Sequence, residues 1–226
     1  MKNILITGTS RGIGLALVDQ FANKDYNVLA ISRNTDPIEQ RNYKNITPLS
    51  VDLTTEESIK KIKIYIQENW NKIDIIIHNA GTLVNKPAES TSLEDFQKVY
   101  MVNVFSVAYI NNMLASFFVR NTHVVTISSI GGITGSLKFP GLSAYSSSKA
   151  AVIGLSELLA EEYRERGVIF NVLALGAVQT EMLEEAFPGY KAKINAIEIA
   201  KYIYDFSING SKFYNGKVLQ VSTTTP

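Results

Sequence analysis

Apolar and polar positions change period along the chain in a regular alternation. Short apolar runs rich in β-branched residues occur at 3–7, 27–32, 46–51, 73–78, 122–128, 168–175 and 217–221. Each has strand length and is bounded by turn or polar residues. Between them apolar residues recur every three or four positions, as in Ile13, Leu17 and Phe21, then Ile59, Ile62 and Ile66, then Val152, Leu155 and Leu159. That spacing puts one apolar face on each helix. Helices are predicted after Gly14, from a cap at Thr54 or Thr55 to near Trp70, over 92–119, over 143–166, and over roughly 196–206. Strands that alternate with helices predict a parallel sheet covered on both faces. The run at 73–78 is almost wholly apolar, as a central strand should be. No repeat, low-complexity tract or linker divides the chain. The expectation is one doubly wound α/β domain over residues 1–226, with seven parallel strands in the order 3-2-1-4-5-6-7.

Composition narrows what such a domain does. The chain has 226 residues, 46% hydrophobic and 19% charged, with a net charge of +1. Its Lys and Arg are scattered among Asp and Glu, which argues against a nucleic-acid or membrane surface. There is no cysteine, so disulfides, thiol catalysis and thiolate metal sites are excluded. The two histidines, His78 and His123, lie far apart, and no metal site is expected. The charge-free run 99–119 is long enough to raise the question of a membrane span. Asn103, Asn111 and Asn112 interrupt it, so a buried or subunit-contacting helix is the better reading. The N-terminus enters a strand with no signal-peptide pattern. A soluble, cytoplasmic protein is expected.

Two stretches carry chemistry. The first is G-T-S-R-G-I-G, Gly8 to Gly14, directly after the first strand. A strand, a glycine turn and a helix N-terminus together make a phosphate site, because the backbone can approach a pyrophosphate and the helix dipole favours its charge. The second strand ends Ser32-Arg33, with no carboxylate to accept from a ribose 2′-hydroxyl. Arg33, with Arg11 in the glycine loop, suits a 2′-phosphate, so NADP is expected over NAD. Asp36, beside Pro37 in a predicted turn, is the rival. The second stretch is 127–149. A strand ends at Ser128-Ser129, a glycine-rich loop follows, and a helix opens with Tyr145 and Lys149, four residues apart and so on one face. A free tyrosine has a pKa near ~10, and a neighbouring cation would lower it. With a serine hydroxyl to hold a carbonyl oxygen, these are the parts for handing a proton to a developing alkoxide. His78 reads as a strand-end residue bonded to backbone. Asn103 sits inside an apolar helical pattern and needs partners: it reads as a structural amide, as one that bends the helix and holds a water, or as both.

In order along nearly the whole chain, these residues resemble the short-chain dehydrogenase/reductase family. Thr7 to Gly14 resembles its T-G-x-x-x-G-x-G motif, which implies cofactor contacts at Gly8, Ser10, Arg11, Gly12, Ile13 and Gly14. Asp52-Leu53 resembles its adenine-contacting pair. H-N-A-G, with Asn79, Ala80 and Gly81, resembles its N-N-A-G. Asn103, Ser129, Tyr145 and Lys149 match its catalytic tetrad, and S-x-x-G selects Ser129 over Ser128. The resemblance implies a Rossmann-type fold and an NADP-dependent carbonyl reductase acting on a small carbonyl or alcohol compound. In it Tyr145 is the acid, Ser129 polarises the substrate oxygen, and Lys149 bonds the nicotinamide ribose. Asn103 holds a water, and Gly176, Val178 and Thr180 lie on the carboxamide side. It also implies a homodimer or homotetramer paired through the 92–119 and 143–166 helices. Three departures stand out. Leu175 replaces a proline before Gly176. The loop between Ser129 and Tyr145 is long, with Phe139 and Leu142 expected in the substrate pocket. The last strand lacks the double glycine often seen after it. The competing functional class is an NADP-binding sensor of the same fold with little or no turnover.

Overall fold

The computed structural model describes residues 1–223. The strands are β1 (Lys2–Thr7), β2 (Tyr26–Ser32), β3 (Ile46–Ser50), β4 (Ile73–His78), β5 (Phe118–Ser129), β6 (Ile169–Leu175), β7 (Val178–Gln179), β8 (Ile194–Asn195) and β9 (Lys217–Val221). The α-helices are α1 (Gly12–Phe21), α2 (Asp36–Glu39), α3 (Glu56–Asn69), α4 (Leu93–Tyr100), α5 (Ser106–Leu114), α6 (Ser143–Glu162), α7 (Glu181–Ala186) and α8 (Ala196–Asn209). Seven strands form one parallel sheet in the order β3-β2-β1-β4-β5-β6-β9, while β7 and β8 pair with each other. This is a doubly wound, Rossmann-like sheet with helices on both faces.

Alternation along the strands builds the two cores. Ile4 and Ile6 of β1, Ile75 and Ile77 of β4, and Val125 and Ile127 of β5 face α1 and α8, where Leu17, Phe21, Ile199 and Ile203 are buried against them. Leu5, Ile76 and Val124 point the other way, onto Ile59, Ile62 and Ile66 of α3 and Ile110 and Leu114 of α5. A side-chain period of 2 on strands and an apolar stripe on each helix leave no other stable stacking. Each such Ile or Leu contributes roughly 1.5–3 kcal/mol relative to exposure. The caps follow the sequence: Thr55 Oγ1 accepts from Ser58 N, and Ser92 with Asp95 forms a capping box at α4.

Several boundaries differ from the sequence expectation. The helix predicted over 92–119 is instead α4, a π-turn at Met101–Phe105, α5 and a 3₁₀ turn at Ala115–Phe117. Strand β5 begins at Phe118, four residues earlier than expected, because Phe118 pairs with Ile73 and Thr122 Oγ1 donates to the Ile73 carbonyl at 2.6 Å. The helix predicted over 143–166 stops at Glu162; the chain turns through Gly167, whose φ of +69° is the left-handed conformation that ends helices. Helix α8 runs to Asn209, three residues past the predicted end. Asp36 opens the short helix α2, with Pro37 in its first turn, rather than lying in a plain turn. Helix α7 and the β7–β8 pair were not foreseen. Among the described residues, no helix is long and apolar enough to cross a membrane.

The strand order reverses between β1 and β4. The crevice outside their carboxyl ends is where a ligand fits in such a sheet. The ends of β1, β2, β4 and β5 carry Thr7, Ser32, His78 and Ser129.

Candidate active site

Beyond β1 the chain turns through Gly8 into α1. Gly8 N and Thr9 N both donate to the Ile31 carbonyl, at 2.8 and 3.2 Å, which stitches the loop to β2. The segment after β4 locks it from the other side. Asn79 Nδ2 donates to Thr7 O (3.0 Å) and Gly8 O (3.1 Å), and Thr7 Oγ1 accepts from Asn79 N and Ala80 N. Only glycine fits two of these positions. A Cβ on Gly8 would stand 2.6 Å from Ala80 Cα, and one on Gly14 would stand 1.9 Å from the Gly8 carbonyl oxygen. The result is a bare backbone cradle at the N-terminus of α1, whose first amides have no partner within the helix. Thr9 Oγ1 is buried there without a hydrogen-bond partner among the described residues. A cradle of this kind fits a pyrophosphate. Ser10, Arg11, Gly12 and Ile13 form its exposed and half-buried rim.

At the end of β2, Ser32 Oγ donates to Asn34 O at 2.7 Å, and Arg33 is exposed. Asp52 accepts from Thr54 N and Thr54 Oγ1, and these bonds, with a smaller contribution from Arg33, hold its carboxyl below the usual range. Leu53 beside it is buried. Arg11 does not turn toward this group. Its guanidinium pairs in a fork with the carboxylate of Glu185 on α7, so the expected clustering of Arg11 and Arg33 is not what the structure holds. Nothing in the sequence reading singled out Glu185. The available signal was the acidic face E-x-x-x-E of Glu181 and Glu185 directly after Thr180.

Strand β5 delivers the serine pair. Ser128 Oγ is buried and donates to the Lys149 carbonyl at 2.9 Å, a purely structural bond. Ser129 Oγ accepts from Gly131 N at 3.2 Å and lies near enough to the Tyr145 hydroxyl to favour its ionised form slightly. Lys149 lies one helical turn from Tyr145. The sequence suggested that its ammonium lowers the phenol pKa, and the structure corrects this. Lys149 Nζ donates to the Ile127 carbonyl at 2.9 Å and stands 5.7 Å from the centre of the tyrosine ring. Burial, only partly opposed by Ser129, pushes the phenol up to about 12. The tyrosine as a whole is half-buried, yet its hydroxyl is densely enclosed by protein. Burial likewise pushes the Lys149 amine down to about 8. The phenol is thus held in its proton-bearing form.

Asn103 is buried in the π-turn. Its Oδ1 accepts from Thr82 N, and its Nδ2 donates to Thr82 O and Ser148 Oγ, all at 2.9 Å. Both amide hydrogens are therefore spent on protein, and the side chain fixes the loop after Gly81. His78 faces Asn111 Oδ1 (3.2 Å) in the core, where burial pushes it down to about 4. Gly176 N donates to Val221 O, and a Cβ on Gly176 would meet Ser222 Oγ at 2.5 Å. Val178 is buried, and Thr180 Oγ1 caps α7 by accepting from Leu183 N. Phe139 is exposed, whereas Leu142 is buried at the start of α6. Asn85, also unforeseen, donates from Nδ2 to Ala186 O at 2.8 Å and ties the loop after β4 to the end of α7.

A family profile described as short chain dehydrogenase matches residues 2–191. The chain is 31% identical over 182 residues to Oxidoreductase BOA17 of Botryotinia fuckeliana, covering 78% of this chain and 65% of that protein. It therefore spans less than two thirds of that relative's length. It is 28% identical over 240 residues to the 3-oxoacyl-[acyl-carrier-protein] reductase FabG of Thermotoga maritima, covering 97% and 96% of the two chains. Among solved structures, ElxO with NADP bound superposes with a TM-score of 0.83 at 28% identity, covering 97% of this chain and 96% of the other.

Proposed function

The chain belongs to the short-chain dehydrogenase family, and we propose that its 226 residues act as one domain that moves hydride between NADP(H) and the carbon of a small carbonyl or alcohol compound. As a member it is an oxidoreductase with an NAD(P)-binding fold. When bound, the nicotinamide supplies or accepts the hydride. The residues here do the rest. The cradle amides and the N-terminus of α1 hold the pyrophosphate. Ser32, Arg33 and Arg11 take the 2′-phosphate, and Asp52 and Leu53 take the adenine. Asn79, Ala80 and Gly81 form the floor, while Gly176, Val178 and Thr180 take the carboxamide side. Tyr145 gives its proton to the carbonyl oxygen, Ser129 bonds and polarises that oxygen, and Lys149 holds the ribose.

One observation carries this reading: the Tyr145 hydroxyl lies beside Ser129 at a strand end, with Lys149 a turn away, in the same fold as a glycine loop whose Gly8 and Gly14 have no room for a Cβ. NADP over NAD is supported by Arg33 and the uncharged Ser32 at the end of β2. The test is NADPH oxidation against a panel of aldehydes, ketones and quinones. Turnover on at least one class is expected. Tight NADPH binding with no turnover on any would favour a sensor.

The same reading includes self-association. Phe105 of the π-turn and Leu158 of α6 are exposed, and Phe105, Tyr109, Leu155 and Leu159 line a shallow apolar groove between α5 and α6. A second copy, presenting the same groove about a two-fold axis, is the occupant proposed.

A further inference from the structure

We propose that Glu185 sets cofactor selectivity through Arg11: it occupies the guanidinium that a 2′-phosphate would use, so that only a 2′-phosphorylated cofactor displaces α7 from the glycine loop. This rests on NADP(H) as the cofactor.

Arg11 is the last residue before α1, and Glu185 lies 174 positions later on α7. The pair is fork to fork, Nη1 on Oε1 and Nη2 on Oε2, the latter at 3.0 Å. Both outer nitrogens of the guanidinium are thereby used. One turn earlier, Glu181 faces the same loop, its Oε2 lying 3.4 Å from where a Cβ on Gly12 would be. Glu184 turns away and accepts from Gly189 N at 3.1 Å. Helix α7 therefore presents an acidic face, spaced i and i+4, to the rim where phosphates are expected. A phosphate and a carboxylate both seek the same planar fork. They cannot hold it together, and their like charges repel. NADH has nothing to offer Arg11 and leaves the pair intact.

The two side chains remain 48% and 62% exposed, so the pair is weak enough to be exchanged. Its effect is accordingly graded. Glu185→Gln should tighten NADPH roughly three- to fivefold and leave NADH within about twofold. In the Arg11→Ala background the same change should do nothing, which a double-mutant cycle on NADPH dissociation constants reads directly. Glu185→Asp should fall between wild type and Glu185→Gln. Hydrogen exchange supplies a second readout: NADPH, but not NADH, should raise exchange at the α7 amides. Equal shifts for both cofactors, or full additivity in the cycle, would overturn the proposal. Equal NADPH and NADH affinity in the wild type would instead overturn the NADP reading, and a selective NADPH gain in Glu185→Gln would leave the role of Glu185 standing.

Discussion

Tyr145 and Lys149 owe their protonation to burial more than to each other. A phenol near pKa 12 keeps its proton at any working pH, which suits a group that must give one to a developing alkoxide. Tyr145→Phe removes only the hydroxyl. Its kcat for carbonyl reduction should drop by about a hundredfold or more, with the NADPH dissociation constant little changed. Stopped-flow or steady-state kinetics beside a binding titration decides it, and retained turnover would end the assignment. Lys149 has the opposite problem: its amine, at about 8, is below the ordinary 10.5 because the buried ammonium is disfavoured. A depressed folded-state value means that stability is present above pH 10.5 and lost as pH falls through 8. Lys149→Met should therefore stabilise the fold at pH 7, by up to about 3 kcal/mol, and gain little at pH 10.5. Thermal melts at both pH values test this, and an equal effect at each would contradict it. Such a gain would come at the expense of the reaction, the usual trade at an active site.

Helix, loop and strand ends bring those residues together, and the π-turn at Met101–Phe105 is the least regular of them. Asn103 in it satisfies both backbone polar groups of Thr82. Asn103→Ala would leave them without partners in a partly buried place, at a cost of about 2–4 kcal/mol. Urea unfolding should show the midpoint move accordingly; a shift worth less than about 0.5 kcal/mol would mean that water or Ser148 replaces the amide. The strands were legible in the sequence because short, almost wholly apolar runs rich in β-branched residues, such as 73–78, suit a central strand of a parallel sheet. The glycine cradle was legible because its residues are contiguous. What escaped was decided by distant partners. Phe118 reads as helix until Ile73 pairs with it. The orientation of Arg11 depends on Glu185, and the phenol pKa on enclosure that the Y-x-x-x-K spacing does not encode. Ser128 and Ser129 differ only in which side of β5 they face, a difference of one residue in a period of two.

At the scale of the whole molecule, two neutral histidines sit in separate parts of the fold. His78 packs against Asn111, and His123 lies between Ser207 O and Asn171, each pushed down to about 4 by burial. Both folded values are depressed from 6.5, so their contribution is whole above that pH and is lost as pH falls through 4. Unfolding should take up close to about two protons in that window, seen as a steep fall in the urea midpoint. His78→Asn should flatten roughly half of that fall, and an unchanged slope would show that His78 is not titrating with the fold. The α5–α6 groove predicts a dimer or larger at micromolar concentration by light scattering, and Phe105→Glu should shift it toward monomer; a monomeric wild type would refute the two-fold contact. Trp70, buried against Tyr65 with ring centres 5.7 Å apart, stands just before β4 begins. It is the only tryptophan in the chain, and β4 separates it from the crevice by roughly 20 Å, six residues at ~3.3 Å each. No ligand in the crevice touches it. Reduced nicotinamide absorbs where indole emits and oxidised nicotinamide does not, so this single ring is a fixed optical donor: its dimming reports the redox state and distance of the dinucleotide, undisturbed by any movement at the mouth.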